Sequence, residues 1–201
     1  LNSEATGGIY HLQLSPFGTV SYVNTALKTE LEVVMSADDL IIFKQLAVLG
    51  KSRSAVFVSV ENGGVDDMAG LPVNEIAVTF SLEIDATTGV YVADLLAAKL
   101  SSFTLDMNAG EIKLTFDDAL NISTLDVGGN IGLQYTRAAT TNSSLQYTLT
   151  GGSTSSVAGF VLNIQLTFGD LNAIKSRRLL ATSANNTFVT FSSQLLKDLA
   201  G

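Results

Sequence analysis

Three sequons carry the clearest modification chemistry in the chain: Asn121-Ile-Ser123, Asn142-Ser-Ser144 and Asn185-Asn-Thr187. Each pattern accepts an N-linked glycan where the segment meets a secretory compartment. All three fall at expected loops or strand ends, where a glycan faces water. Acidic pairs form a second group, at Asp38-Asp39, Asp66-Asp67 and Asp117-Asp118, with Asp106 and Asn108 nearby. Calcium takes about 6 to 8 oxygen ligands, so such acids at module junctions could bind it. No EF-hand loop and no cadherin-like calcium motif accompanies them. Helix capping and solvated turns account for the same residues, Asp39 and Asp170 as capping acids, so the expectation is no cofactor, with calcium as the alternative.

Other chemistries fail on residue counts. His11 is the single histidine, and no Gly-x-Ser-x-Gly elbow exists to present a serine beside it. A histidine-rich zinc site is ruled out on the same count. Glycosidase chemistry needs only two carboxylates, but nothing in the spacing positions a pair, and there is no tryptophan to stack a sugar. The Gly-Gly pairs at 63, 128 and 151 are not followed by Lys-Ser/Thr, so they read as turns and not as phosphate loops. Lys175-Ser-Arg-Arg178 reads either as a dibasic processing site or as the solvated C-terminal end of a helix, where cations suit the dipole. The expectation is a protein that is not an enzyme, with no catalytic, cofactor-binding or metal residues and with Asn121, Asn142 and Asn185 as glycosylation candidates.

Composition agrees with that direction. The chain has 201 residues, 46% of them hydrophobic, and only 15% are charged, against roughly 25% in an average domain. Low charge with many Thr, Ser, Gly and Val suits secreted β modules. A net charge of −8 opposes binding to nucleic acid or to an anionic membrane surface. There is no cysteine, hence no disulfide framework or thiolate metal site. No apolar run approaches the roughly 20 residues that span a bilayer.

The positioning elements are organised by an internal repeat. Residues 31–70 lie over 162–201 at an offset of 131 without a gap. Leu31, Asp39, Leu40, Lys44, Ser52, Phe57, Val58, Asp67, Ala69 and Gly70 match Leu162, Asp170, Leu171, Lys175, Ser183, Phe188, Val189, Asp198, Ala200 and Gly201. Upstream, Leu12-Gln-Leu-Ser15 resembles Tyr147-Thr-Leu-Thr150 after a short length change. Each copy opens on an alternating strand, 31–35 or 162–166. Ser36-Ala-Asp-Asp39 and Thr167-Phe-Gly-Asp170 then fit the Ser/Thr-x-x-acid start of a short helix. Leu40 and Phe43, or Leu171 and Ile174, face the core. A second strand (Val56, Phe57, Val58 and Val60, or Phe188, Val189 and Phe191) and a polar turn close the unit.

Between the copies, 75–84 alternates strictly and predicts a strand, with a turn at 85–89 and another strand at 90–92. Residues 103–107 and 111–116 predict a hairpin, and 131–135 and 145–150 two more strands. Seven or more short strands with regular turns predict an all-β chain of two tandem Ig-like β-sandwich modules, each with one short helix. Module 1 spans 1–95 and lacks its opening strands; module 2 spans 96–201 and lacks its closing strand.

Phe103-Thr-Leu-Asp-Met-Asn-Ala-Gly-Glu-Ile-Lys-Leu-Thr-Phe116 and its continuation to Val127, with Gly169-Asp-Leu-Asn-Ala-Ile-Lys175, Leu180-Ala-Thr-Ser183 and Lys197-Asp-Leu-Ala-Gly201, give a family likeness. They resemble the tandem Ig-like repeats of large secreted or surface proteins of algae and other protists, similar in style to bacterial Ig-like surface repeats. The likeness covers nearly all of 99–201 and, more weakly, 31–91. The first copy departs at 47–53, which lacks the Leu-Ala-Thr-Ser run. The resemblance implies a β-sandwich, an extracellular or cell-surface location and a role in building fibres or coats.

The expected function is therefore structural or adhesive: a subunit or segment of a filament, sheath or surface array, joined by strand exchange between neighbours. Its partners would be copies of itself or neighbouring Ig-like modules, with glycans on the surface. The rival is a carbohydrate- or ligand-binding β module. Such a module needs an aromatic platform, and Tyr10, Tyr22, Tyr91, Tyr135 and Tyr147 are scattered over predicted strands.

Overall fold

The computed structural model describes residues 1, 12–16, 18–22, 30–46, 48–84, 91–138 and 141–200. It is predominantly β, in several small sheets, with two short α-helices. The chain divides into two compact units, Leu1–Leu95 and Leu96–Gly201. His11, Tyr10, the 85–89 turn and Gly201 lie outside the described residues.

In the first unit, β1 (Thr19–Tyr22) pairs antiparallel with β2 (Leu31–Val34). Helix α1 (Ala37–Gln45) follows, then a 3-10 turn at Arg53–Ala55 and β3 (Phe57–Val58), which pairs with β4 (Leu82–Glu83). The alternating segment 75–84 does not form the single strand its period predicts. Ile76 makes one bridge to Val60, a 3-10 turn occupies Val78–Phe80, and only Leu82–Glu83 joins a ladder. Alternation states which side chains share a face; it cannot supply the neighbouring strand that a ladder requires. Without one, Val78 and Phe80 stay exposed. Residues 91 and 92 likewise carry no strand.

The second unit opens with the expected hairpin, longer than its sequence pattern marks: β5 (Leu100–Asp106) and β6 (Glu111–Asn121). β7 (Ile131–Gln134), β8 (Gln146–Thr148), β9 (Gly152–Ser153) and β10 (Gly159–Leu166) follow in order. Helix α2 (Phe168–Ser176), a 3-10 turn at Ala184–Asn186, β11 (Phe188–Phe191) and β12 (Lys197–Asp198) complete it. One sheet has the order β12-β6-β10-β9 with β5 also on β6, and the other the order β11-β7-β8. Both sheets turn their apolar residues into one cluster. β6 contributes Ile112, Leu114 and Phe116; β10 contributes Leu162, Ile164 and Leu166; β7 contributes Ile131 and Leu133; and α2 adds Ile174. At about 2 kcal/mol for each large aliphatic side chain removed from water, this shared core is what holds the second unit together.

The two copies agree in structure element by element. β2 corresponds to β10, α1 to α2, the two 3-10 turns to each other and β3 to β11, all at the offset of 131. Ser36 Oγ accepts from the Asp39 N–H at 3.1 Å, and Thr167 Oγ1 from the Asp170 N–H at 3.0 Å, so both helices start on the predicted hydroxyl cap. Asp67 Oδ1 accepts from the Ala69 N–H and Asp198 Oδ1 from the Ala200 N–H, the same turn twice.

The loop after each helix also agrees, although 47–53 departs from its counterpart in sequence. Leu49 and Leu180 are both buried, and the next residue has positive φ in each copy: Gly50 at 76° and Ala181 at 56°. A methyl group on Gly50 would overlap the ring of Phe43, whereas the second helix carries Ile174 at that position. Residue size on the helix and in the loop therefore vary together. Gly50→Ala should destabilise the first unit by about 1–3 kcal/mol through overpacking and left-handed strain. Phe43→Ile in the same chain should recover part of that loss, and Ala181→Gly should stabilise the second unit by about 1 kcal/mol. Denaturant unfolding followed by circular dichroism reads all three; strict additivity of the Phe43 and Gly50 changes would sink the coupling.

Candidate functional site

The most distinctive polar constellation is one that each unit builds at the start of its helix. Asp39 and Asp170 are buried, with 4% and 0% of their surface exposed. These acids do more than cap. Ser36 and Thr167 cap the helices and also bond to the Asp39 and Asp170 carboxyls, as a capping acid requires, while the same carboxylates reach sideways to a distant segment. The Ser15 N–H and hydroxyl donate to Asp39 Oδ2 at 3.0 and 2.8 Å. The Thr150 N–H and hydroxyl donate to Asp170 Oδ1 at 3.0 and 2.8 Å. Ser15 and Thr150 are the residues that the upstream match places in register, so the repeat extends to this contact.

The second unit adds to the pattern. The Tyr147 hydroxyl donates to the same Oδ1 at 2.7 Å, whereas the first unit has buried Leu12 three residues before Ser15. Arg177 lies over the Tyr147 ring, 4.6 Å from its centroid, and donates from Nε to the carbonyls of Ser143 and Gln146 and from Nη1 to that of Ala173. Arg177 is thus half-buried and engaged, which corrects its reading as a solvated helix-end cation; a protease reading Arg177-Arg178 would have to extract it first. Asp170 Oδ2 is buried without a hydrogen-bond partner among the described residues. The bonds from Tyr147 and Thr150 all reach Oδ1.

Electrostatics follow from this geometry. Burial would raise the Asp170 carboxyl, but the hydrogen bonds from Tyr147 and Thr150 outweigh it and hold the group below its ordinary value. The Ser15 hydroxyl is the main cause of the same lowering at Asp39. The hydrogen bond to Asp170 raises the Tyr147 phenol.

The remaining candidates disperse. Asp106 accepts from the Asn108 and Ala109 N–H groups in the β5–β6 turn, and the Ala109 bond is the first cause of its lowered pKa. Asp117 accepts from the Lys99 N–H and Asp118 from the Ala119 N–H. Among the described residues, no three acidic or histidine side chains converge to hold a metal ion. Tyr91 donates to the Gly50 carbonyl at 2.7 Å, so it too has an internal bond. Of the sequons, Asn142 and Asn185 are exposed, in a turn after β7 and in the 3-10 turn. Asn121 is half-buried at the end of β6, opposite Lys197 of β12, and its Oδ1 accepts from the Ser123 hydroxyl at 2.7 Å. A cleft of about 780 Å³ lies beside the β5–β6 turn, lined by residues including Phe103, Asp106, Asn108 and Thr182. It contains no tyrosine.

Asp170→Ala should cost the second unit about 3 kcal/mol, since Tyr147 and Thr150 lose the acceptor for three donors. Asp39→Ala should cost the first unit less, because no tyrosine hydroxyl is left there without its acceptor. Both carboxyls sit below their unfolded value of about 4, so their contribution is full above that pH and fades as pH falls through the folded-state value. Acid unfolding of Asp170→Asn should lose part of this dependence; an unchanged acid limb would refute the assignment. Compared with known proteins, the chain matches no family model, no curated protein and no solved structure.

Proposed function

We propose that this chain is an extracellular structural or adhesive protein, a subunit or segment of a filament, sheath or cell-surface array built from Ig-like β-sandwich modules. One observation carries the reading: the same strand–helix–strand segment recurs in both units, down to the hydroxyl cap, the buried acid and its Ser15 or Thr150 partner. Repetition of a whole packing unit is what an array requires. The polar groups with unusual surroundings support it further, since Asp39, Asp170, Tyr147 and Arg177 all spend their bonds within the module. That is the economy of a scaffold and not of a catalyst, so the chain is read as no enzyme and as needing no cofactor. Two opposed sheets over one core in the second unit support the sandwich.

Glycans on Asn142 and Asn185 would project from exposed turns and keep module faces apart from one another. The rival reading, a carbohydrate- or ligand-binding module, finds one cleft beside the β5–β6 turn, and that cleft offers Phe103 but no tyrosine platform.

Intact mass and light scattering on the native material, before and after enzymatic deglycosylation, test the proposal. The expected result is glycan on Asn142 and Asn185, little on Asn121, and particles much larger than a monomer. A bare monomer of 21.1 kDa would overturn it.

A further inference from the structure

The equivalent strands β2 and β10 differ in one respect: how they are covered. In the second unit β10 has β9 on one edge and β6 on the other, and Leu162 and Ile164 are fully buried. β1 takes the place of β9, since Thr19 pairs with Val34 as Ser153 pairs with Gln165. Among the described residues nothing fills the place of β6, and the β1–β2 sheet has two strands only. On the face that should be core, Leu31 is 39% exposed, Val33 53% and Val20 63%. An unpaired edge next to an apolar face is a template for strand addition.

We infer that the free edge and apolar face of β2 form a docking site for a β-hairpin of the β5–β6 kind, supplied by a neighbouring module outside this chain. This rests on the array reading and names its joint. The repeat specifies the occupant and its register. β10 meets β6 with Leu162 opposite Leu114, Asn163 opposite Lys113, Ile164 opposite Ile112 and Gln165 opposite Glu111. Moved by the offset of 131, the incoming strand sets its leucine against Leu31 and its isoleucine against Val33. Its lysine then faces Glu32, an opposite-charge pair where the second unit has a neutral one. The first copy thus carries the better charge complement to Lys113 than the strand that β6 already pairs with. The hairpin of this chain's second unit is committed to its own core, so the occupant is an equivalent one from elsewhere.

The test adds a synthetic peptide of residues 99–121 to the full 201-residue chain and follows binding by calorimetry and by hydrogen–deuterium exchange. The expected result is one peptide per chain with slowed exchange at Leu31–Val34. Glu32→Lys should weaken binding about fivefold, and Lys113→Glu in the peptide should restore it. No binding, or binding without protection of β2, would overturn the inference. So would pairing of β2 with β2 of a second copy that the peptide does not displace. An unchanged affinity in Glu32→Lys would overturn the register. These outcomes are separate from the array reading: large glycosylated particles with no peptide binding would leave that reading standing and end this one.

Discussion

A buried carboxylate at the helix start is the interaction on which each module depends. Its donors come from a residue about twenty positions upstream, one backbone N–H and one hydroxyl, so a single side chain locks the helix onto the segment that leads into the sheet. Charge-assisted bonds of this kind are about twice as strong as neutral ones, and low dielectric makes them directional constraints as well as sources of energy. Apolar packing alone lets a short helix slide or rotate over a sheet. The acid removes that freedom, and the hydroxyl cap one turn earlier fixes where the helix begins.

The second unit shows how such a lock can be reinforced without new backbone. Tyr147 adds a third donor, and Arg177 spans from the helix end to the carbonyls of the 143–146 turn while covering the phenol ring. Helix start, helix end and strand β8 are thereby tied through two aromatic-centred contacts. The Leu12 side chain in the first unit gives burial but has no hydroxyl to donate. The difference between the units is therefore concentrated on one side of the helix, and on the uncovered face of β2.

Much of this was legible in the sequence, for reasons that are local. The hydroxyl caps, the β5–β6 hairpin and the strand pairs at β7 and β8 depend on residues close in the chain, and pattern reading found them. The repeat offset was equally plain, and the upstream match of Ser15 to Thr150 was the one signal that could have exposed the acid's true partner. What stayed hidden was non-local. Asp39 and Asp170 sit where a capping acid belongs, and only the fold shows that they also hold Ser15 and Thr150. Arg177 does bond the helix end through the Ala173 carbonyl, but its other acceptors lie some thirty residues away and gave no local signal. The strict alternation of 75–84 promised a strand, but a strand is made by its neighbour as much as by its own side chains. His11 falls outside the described residues, and the three sequons do not converge.

The length change between the two copies has a meaning of its own. From Ser15 to Gly18 the chain takes one residue more than from Thr150 to Gly152, yet both routes lead from the acid's partner to the same edge strand. The other three extra residues fall after the edge strand, since Thr19 lies fifteen positions before its partner Val34 and Ser153 twelve before its partner Gln165. None lies within the forty aligned residues that follow. Length is thus free to vary in the two connections that flank the edge strand, while the stretch from β2 onward keeps its spacing, so the tie and the helix hold their places whatever the loops between them do.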